Sequence, residues 1–348
     1  MTESIGRVLP ERETPAMSIR GLTTEFVTAA GTLRAADDVS YDVHPGEVLG
    51  VVGESGSGKS VTVLSALGLI PQPPARITAG EVIVDGKDLL TLPKKELRKV
   101  RGGSIGMIFQ DPMASLNPVL TVGQQIIETI AAHNPSTSRK ASRARAADLL
   151  ALVGVPDPKD RLRQYPHEFS GGMRQRAMIA IAIANGPSVI VADEPTTALD
   201  VTIQAQVLDV LETSRKETGA ATILITHDLG LLAQMADRVV VMYAGRVVET
   251  GTVDEIFNAP RHPYTVGLLG SLPTIDGDIT RLSSIQGSPP NLSQLPSGCA
   301  FHPRCALGHD RPACRTDRPA LMSMEGDHRS ACHYVDEVAG FASTVGVA

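Results

Sequence analysis

The stretch Glu47 to Ile70, EVLGVVGESGSGKSVTVLSALGLI, decides the fold. It opens as an apolar strand, passes through Gly53 to Ser60 as G-x-x-x-x-G-K-[ST], and continues with apolar residues at helical spacing as far as Pro71. Strand, glycine loop and helix in that order form a phosphate cradle. Gly53, Ser55, Gly56, Ser57 and Gly58 supply backbone N–H groups that converge on phosphate oxygens. The helix N-terminus adds about half a positive charge and Lys59 a full one. A lysine ~4 Å from a phosphate charge contributes about 4 kcal/mol at an effective dielectric of ~20. Ser60 is placed to present its hydroxyl to Mg2+. A glycine loop that merely turned the chain would need none of these neighbours.

Upstream, SIRGLTTEFV, DDVSYDV and EVLGVV read as strands separated by Gly31 and the Pro45-Gly46 turn. Downstream, GEVIVDG, the basic helical PKKELRKVR and the apolar SIGMIF return to the same core. Residues 112 to 169 differ, being mostly helical, with SRKASRARAADLLALVGV as an amphipathic helix ending near Gly154 and Pro156. They form an insert. From Met173 to Val248 helices alternate with SVIVAD, ATILIT and VVVMY, as expected of a parallel sheet covered by helices, and VVVMYAGRVVE forms a closing hairpin around Ala244-Gly245. The core is α/β. Past Gly251 the composition turns to Pro, Gly, Ser and Cys, which sets the boundary of a small C-terminal domain.

SVIVADE, Ser188 to Glu194, is a buried strand ending in two acids. Beside a phosphate loop, Asp193 can hold magnesium through its water shell while Glu194 orients the attacking water. Without that loop, a solvated turn would stand as an open alternative for the pair.

The 348 residues exceed the ~250 to 300 at which one hydrophobic core stops growing, so a large domain with an appendage is expected. With 42% apolar and 20% charged residues the chain is not disordered. Its net charge of -6, 3% aromatics and lack of Trp make it a poor partner for nucleic acid. The apolar run Ala177 to Ala184 is cut by Asn185, Gly186 and Pro187, far short of the ~18 residues of a bilayer span. The N-terminus, taken as a flexible tail over 1–17, lacks the apolar stretch of a secretory signal, so the chain is expected in the cytosol.

With these residues in place, the chain resembles the ATP-binding subunits of ABC transporters over nearly its whole length. Ser170-Gly171-Gly172-Met173-Arg174-Gln175-Arg176 resembles the family signature, with Met173 and Arg174 replacing the commoner Gln pair. Gln110 in MIFQDP looks like the Q-loop glutamine, Ala198-Leu199-Asp200 like the D-loop, and His227 in LITHDL like the switch histidine. The resemblance implies a P-loop NTPase fold: a RecA-like parallel sheet, an antiparallel N-terminal β subdomain, and a helical insert over about 112–175 within a nucleotide-binding domain at 18–250. It implies ATP and Mg2+ as cofactors, Glu194 and His227 as catalytic residues, and Mg2+ held by Ser60, Gln110 and Asp193. Ser170 to Gly172 precede the helical MRQRAMIAIAIA and so offer a second anion site. In the family two chains pair head to tail, each sandwiching ATP between its own loop and the partner's signature, and the insert receives a short helix from the membrane subunit. The family usually has an adenine-stacking aromatic about 25 residues ahead of the loop lysine. Here that register falls on Arg34, whose guanidinium plane can stack, with Phe26 as the competing residue and a solvated loop arginine as the plain reading.

The strings His167-Glu168-Phe169, Arg261-His262-Pro263-Tyr264-Thr265 and PSGCAFHPRC look like the oligopeptide, dipeptide and nickel importer subfamily, in its dipeptide-type member. That implies a second homologous ATPase chain, two membrane permeases and an extracytoplasmic substrate-binding protein, with this chain at the cytoplasmic face of the membrane. Dipeptide, longer peptide, haem and nickel remain open as cargo. A soluble ABC ATPase of the translation or repair kind is the runner-up, but this chain has neither two cassettes nor a long coiled-coil insert. A metal-sensing regulator would not need the nucleotide motifs.

Cys299, Cys305, Cys314 and Cys332 all lie in the last 50 residues of a chain otherwise free of cysteine. In a reducing cytosol such a cluster reads as a metal site. Gaps of 5, 8 and 17 residues give no C-x-x-C knuckle, which favours a [4Fe-4S] cluster, with zinc or free thiols as alternatives. His302, His309, His328 and His333 are near enough in sequence to confuse the ligand count.

Overall fold

The computed structural model describes residues 14–29, 31–196, 201–272, 285–324 and 326–344. The strands are β1 (Met17–Thr28), β2 (Gly31–Val43), β3 (Val48–Val52), β4 (Ala75–Val84), β5 (Lys87–Asp88), β6 (Ile105–Ile108), β7 (Val189–Asp193), β8 (Ala221–Ile225), β9 (Arg238–Tyr243), β10 (Arg246–Thr252), β11 (Met322–Ser323) and β12 (Arg329–Ser330). One sheet is antiparallel in the order β2-β1-β4-β5, and the larger one runs β11-β12-β10-β9-β3-β8-β7-β6. Within the larger sheet β9, β3, β8, β7 and β6 are parallel. This is the expected P-loop α/β core with an antiparallel N-terminal subdomain.

The continuous apolar strands β3, β7 and β8 are buried along their whole length because both faces of the sheet are covered. Period-two alternation divides each strand between two cores. Val48, Val52, Ile190 and Ala192 face the core shared with the helical insert and the helix Gly171–Ala182. Leu49, Val51, Val189 and Val191 face the other, closed by Ile19 of β1, Val39 and Val43 of β2 and Val82 and Val84 of β4. The insert consists of the helices Pro112–Ser115, Val122–His133, Arg139–Leu152 and Pro158–Arg161. Thr121 and Ser138 cap the two long ones through their hydroxyls.

Two boundaries depart from the sequence reading. The helix after the phosphate loop is Lys59–Ala66 and stops short of Pro71. Gly68 turns at φ 60, and Arg101 donates from Nε to Leu67 O at 2.7 Å and from Nη2 to Gly68 O at 2.6 Å, placing a cation on the helix C-terminus. A proline is not needed once glycine and arginine end the helix. The second departure is β4, which begins at Ala75, ahead of GEVIVDG, because its first residues pair with β1 as far as Phe26 opposite Ala75.

The change of composition at Gly251 coincides with no gap in packing. β12 pairs antiparallel with β10, Glu249 opposite Ser330 and Thr250 opposite Arg329. Buried Glu249 accepts at Oε1 from the Arg261 N–H and lies 2.7 Å from His328 Nε2, itself buried. Phe301 and Cys305 belong to the same apolar core as Tyr243 and Tyr264. A small satellite core of Val266, Cys332, Val338 and Ala342 ties the helix Pro263–Leu269 to Val335–Thr344.

Candidate functional site

The phosphate loop spans from the end of β3 to the helix Lys59–Ala66, as its sequence requires. Gly53 and Gly58 are obligatory here. Their φ angles are 157 and 99, and an added Cβ would meet Met242 O at 2.2 Å or Ala35 O at 2.3 Å. Around Gly56 there is open space. Lys59 is buried and turns back on the loop, donating from Nζ to Gly53 O at 2.6 Å and Glu54 O at 3.1 Å. Burial pulls its pKa down, opposed by Glu194, Asp193 and Glu54.

The ends of β7 and β8 bring the other polar groups alongside, since the parallel register sets Asp193 opposite Ile225. Ser60 Oγ donates to Asp193 Oδ1 at 2.8 Å. Burial raises the Asp193 pKa, and the Ser60 hydroxyl works against that. The next residue, Glu194, has φ 47, a left-handed conformation costly for a non-glycine and common at functional positions. Its Oε2 accepts from Gln110 Nε2 at 2.8 Å and its Oε1 lies 3.4 Å from His227 Nδ1. Five residues separated by up to 167 positions thus converge: Ser60, Gln110, Asp193, Glu194 and His227.

Ser170 caps the helix Gly171–Ala182, accepting from the Met173 N–H at 3.3 Å. Gly172 packs where a Cβ would lie 2.8 Å from Ile203 Cγ2, whereas a Cβ on Gly171 would meet nothing. The signature therefore has one face on its own chain and one open. Asp200, with Ala198 and Leu199, lies outside the described residues.

Arg34 sits on β2 opposite Glu25, and Phe26 sits opposite Leu33. The carbonyl of its neighbour Ala35 faces Gly58 of the phosphate loop. Its side chain is more than half exposed and is paired with Glu25 at 2.9 Å and Asp37 at 3.4 Å.

Two loop contacts were not foreseen from sequence. Tyr264, fully buried, accepts at Oη from the Glu54 N–H at 2.8 Å. Arg304 forms a bidentate pair with the Glu54 carboxylate at 2.6 and 2.9 Å. His262 caps the Tyr264 helix, its Nδ1 accepting from the Tyr264 N–H at 3.1 Å, and burial pulls its pKa down to about 4.

All four cysteines are free and line one cavity with His262, Phe301 and Gly308. The Gly308 and Tyr334 N–H groups donate to Cys305 and Cys332 sulfurs at 3.1 and 3.4 Å. Burial raises all four thiols, Cys299 to about 11 and Cys332 to about 12. Among the described residues no three His, Cys, Asp or Glu side chains converge closely enough to hold one metal ion. His302 and His333 also line this cavity, with ring nitrogens at Cys299 O and Asp317 O, whereas His309 pairs with Asp310 and His328 with Glu249.

The ABC transporter family profile covers residues 36–197, and the profile of the oligopeptide/dipeptide transporter C-terminal region covers 248–314. The chain is 49% identical over 337 residues to a putative peptide import ATP-binding protein of Brucella melitensis, spanning 93% of this chain and 98% of that one. It is 48% identical over 326 residues to the dipeptide transport ATP-binding protein DppD of Bacillus subtilis, spanning 94% and 96%. Against the oligopeptide transport ATP-binding protein OppD of Mycobacterium tuberculosis it is 50% identical over 327 residues, 94% of this chain, but spans only about half of that longer relative, 53%. A dimeric ATP-binding cassette, MJ0796 bound to ADP and Pi, superimposes with a TM-score of 0.61 at 27% identity, over 68% of this chain and 98% of that one. The cbiO1 protein of Clostridium perfringens gives 0.60 at 28% identity, over 71% and 92%. The chain belongs to the ATP-binding proteins of ABC transporters, within the oligopeptide/dipeptide importer family.

Proposed function

We propose that this chain hydrolyses ATP to power import of di- or oligopeptides, working at the cytoplasmic face of the membrane. Its partners in this reading are a second, homologous ATPase chain, two permease subunits and an extracytoplasmic substrate-binding protein. The observation that carries the reading is the convergence of Gln110 and His227 on Glu194, beside the Ser60–Asp193 pair. Gly53 to Ser60 bind the phosphates, Lys59 meets them as a point charge, and Ser60 with Asp193 and Gln110 holds Mg2+. Glu194 orients the attacking water. His227 donates to the terminal phosphate, and Arg34 stacks its guanidinium plane on adenine while its edge stays with Glu25 and Asp37.

The open face of Ser170–Gly172 supports a sandwich in which this signature completes the nucleotide site of the partner ATPase; Asp200 is the D-loop residue of this reading. Hydrolysis then parts the two chains. The insert, residues 112 to about 175 of a nucleotide-binding domain at 18–250, takes up a short helix of a permease. Support comes from Phe109, Met113, Val119 and Tyr165, large apolar side chains left partly exposed around it. None of the described helices is long and apolar enough to cross a membrane.

The C-terminal segment 251–348 holds a [4Fe-4S] cluster on Cys299, Cys305, Cys314 and Cys332. Support comes from the cavity that all four cysteines share and from the two N–H···S contacts to Cys305 and Cys332. When bound, the group crosslinks a Pro- and Gly-rich loop. Iron and acid-labile sulfide in anaerobically purified protein check this, and stoichiometric zinc without iron refutes it.

The transport reading is tested in proteoliposomes carrying the full assembly. Peptide uptake is expected with ATP and not with a non-hydrolysable analogue. Uptake at full rate with the analogue overturns it.

A further inference from the structure

Glu54 places a carboxylate inside a loop built to attract phosphate. It acts on Lys59 electrostatically and would repel a nucleotide's charge. The structure neutralises it from a distance of 250 residues in sequence: Arg304 Nη1 and Nη2 donate to Glu54 Oε2 and Oε1 at 2.6 and 2.9 Å. That guanidinium is held on every side. Its side chain is only 6% exposed, Nη1 also reaches Tyr243 Oη at 3.3 Å, and the Gln286 and Gly287 carbonyls accept at 3.0 and 3.2 Å. The rings of Tyr243 and Phe301 flank it at 5.8 and 6.0 Å. Glu54 is fixed at its backbone too, through Tyr264 Oη on its N–H and Lys59 Nζ on its carbonyl.

We propose that Arg304 is a positioning residue of the nucleotide loop, cancelling and anchoring the Glu54 carboxylate so that tight ATP binding depends on docking of the cysteine-bearing segment. The next residue, Cys305, lines the thiol cavity, and Phe301 lies between that cavity and Tyr243. A bidentate Arg–carboxylate pair suits this task because it fixes orientation as well as charge. When the segment leaves its seat, the arginine goes with it and a bare carboxylate stays in the cradle. The nucleotide loop thus reports whether the tail is in place.

The proposal rests on reading Gly53–Ser60 as the ATP site. The test measures the affinity of the full chain for a fluorescent ATP analogue, and KM and kcat of the assembled transporter. Arg304→Gln is expected to raise Kd and KM about tenfold with kcat changed less than about twofold, since Arg304 touches none of the groups around Glu194. Adding Glu54→Gln to Arg304→Gln should bring both constants most of the way back, because the offending charge is gone. Arg304→Lys should fall between, and it carries the comparison if Arg304→Gln does not fold. Unchanged Kd and KM in the arginine variants overturn the proposal. So does a rise that Glu54→Gln fails to relieve, which marks Arg304 as a packing residue only. If the parent chain itself bound no ATP, the nucleotide-site reading would fall first, a result distinct from either of these.

Discussion

Two helix N-termini in this molecule use the same physics to different degrees of completion. At Lys59–Ala66 the backbone dipole is joined by a lysine, a serine hydroxyl and the acids at the end of β7, all from one chain. At Gly171–Ala182 the dipole stands almost alone. The Ser170 hydroxyl caps Met173, Arg174 is turned to the carbonyl of Pro166 at 2.8 Å, and the space over Gly171 is open. The first terminus gathers its polar neighbours from its own chain; the second is open over Gly171, and in the reading proposed above the partner ATPase brings the groups that complete it.

The contrast can be broken at either end. Glu194→Gln should slow hydrolysis by ~10²-fold or more while ATP still binds, because the water loses its orienting base and the cradle keeps its charges. Near-normal turnover in the assembled transporter would remove Glu194 from that role. Gly171→Asp puts a carboxylate where the partner's phosphate should arrive. Coupled hydrolysis is expected to drop about tenfold, with the isolated chain's own nucleotide affinity unchanged. If that affinity falls equally, the signature serves its own loop and the division between complete and incomplete sites is wrong. The smallest effect is expected at Arg34→Ala, roughly two- to fivefold in ATP affinity for the loss of one stacking contact at an exposed position. No change there would hand the adenine to another residue, with Phe26 the next to mutate.

The nucleotide half of the molecule was legible because its determinants are local. Loop spacing, strand ends and cap residues are written in runs of a few amino acids, and parallel-sheet logic predicts that strands ending in Asp193 and Ile225 lie side by side. The Ala244-Gly245 hairpin was readable for the same reason, both residues having the positive φ such a turn demands. The tail was not. β12 is two residues long, and nothing in Arg329–Ser330 announces that it will pair with Glu249 and Thr250. The Arg304–Glu54 pair joins residues with no shared motif, so only the fold reveals it. The helix after Lys59 ends before Pro71 because Gly68 turns the chain three residues earlier, a stop that the apolar spacing up to the proline does not show.

The short pairing of β12 with β10 has a consequence for anyone shortening the protein. Without the residues past 320, the backbone rim of β10 over Glu249 and Thr250 would lose its cover, and the Glu249 carboxylate would lose its contact with His328. A bare rim of that kind recruits whatever strand comes next, including one from an identical molecule. Trimming the carboxyl end is thus expected to promote self-association, which light scattering of the shortened chain would show.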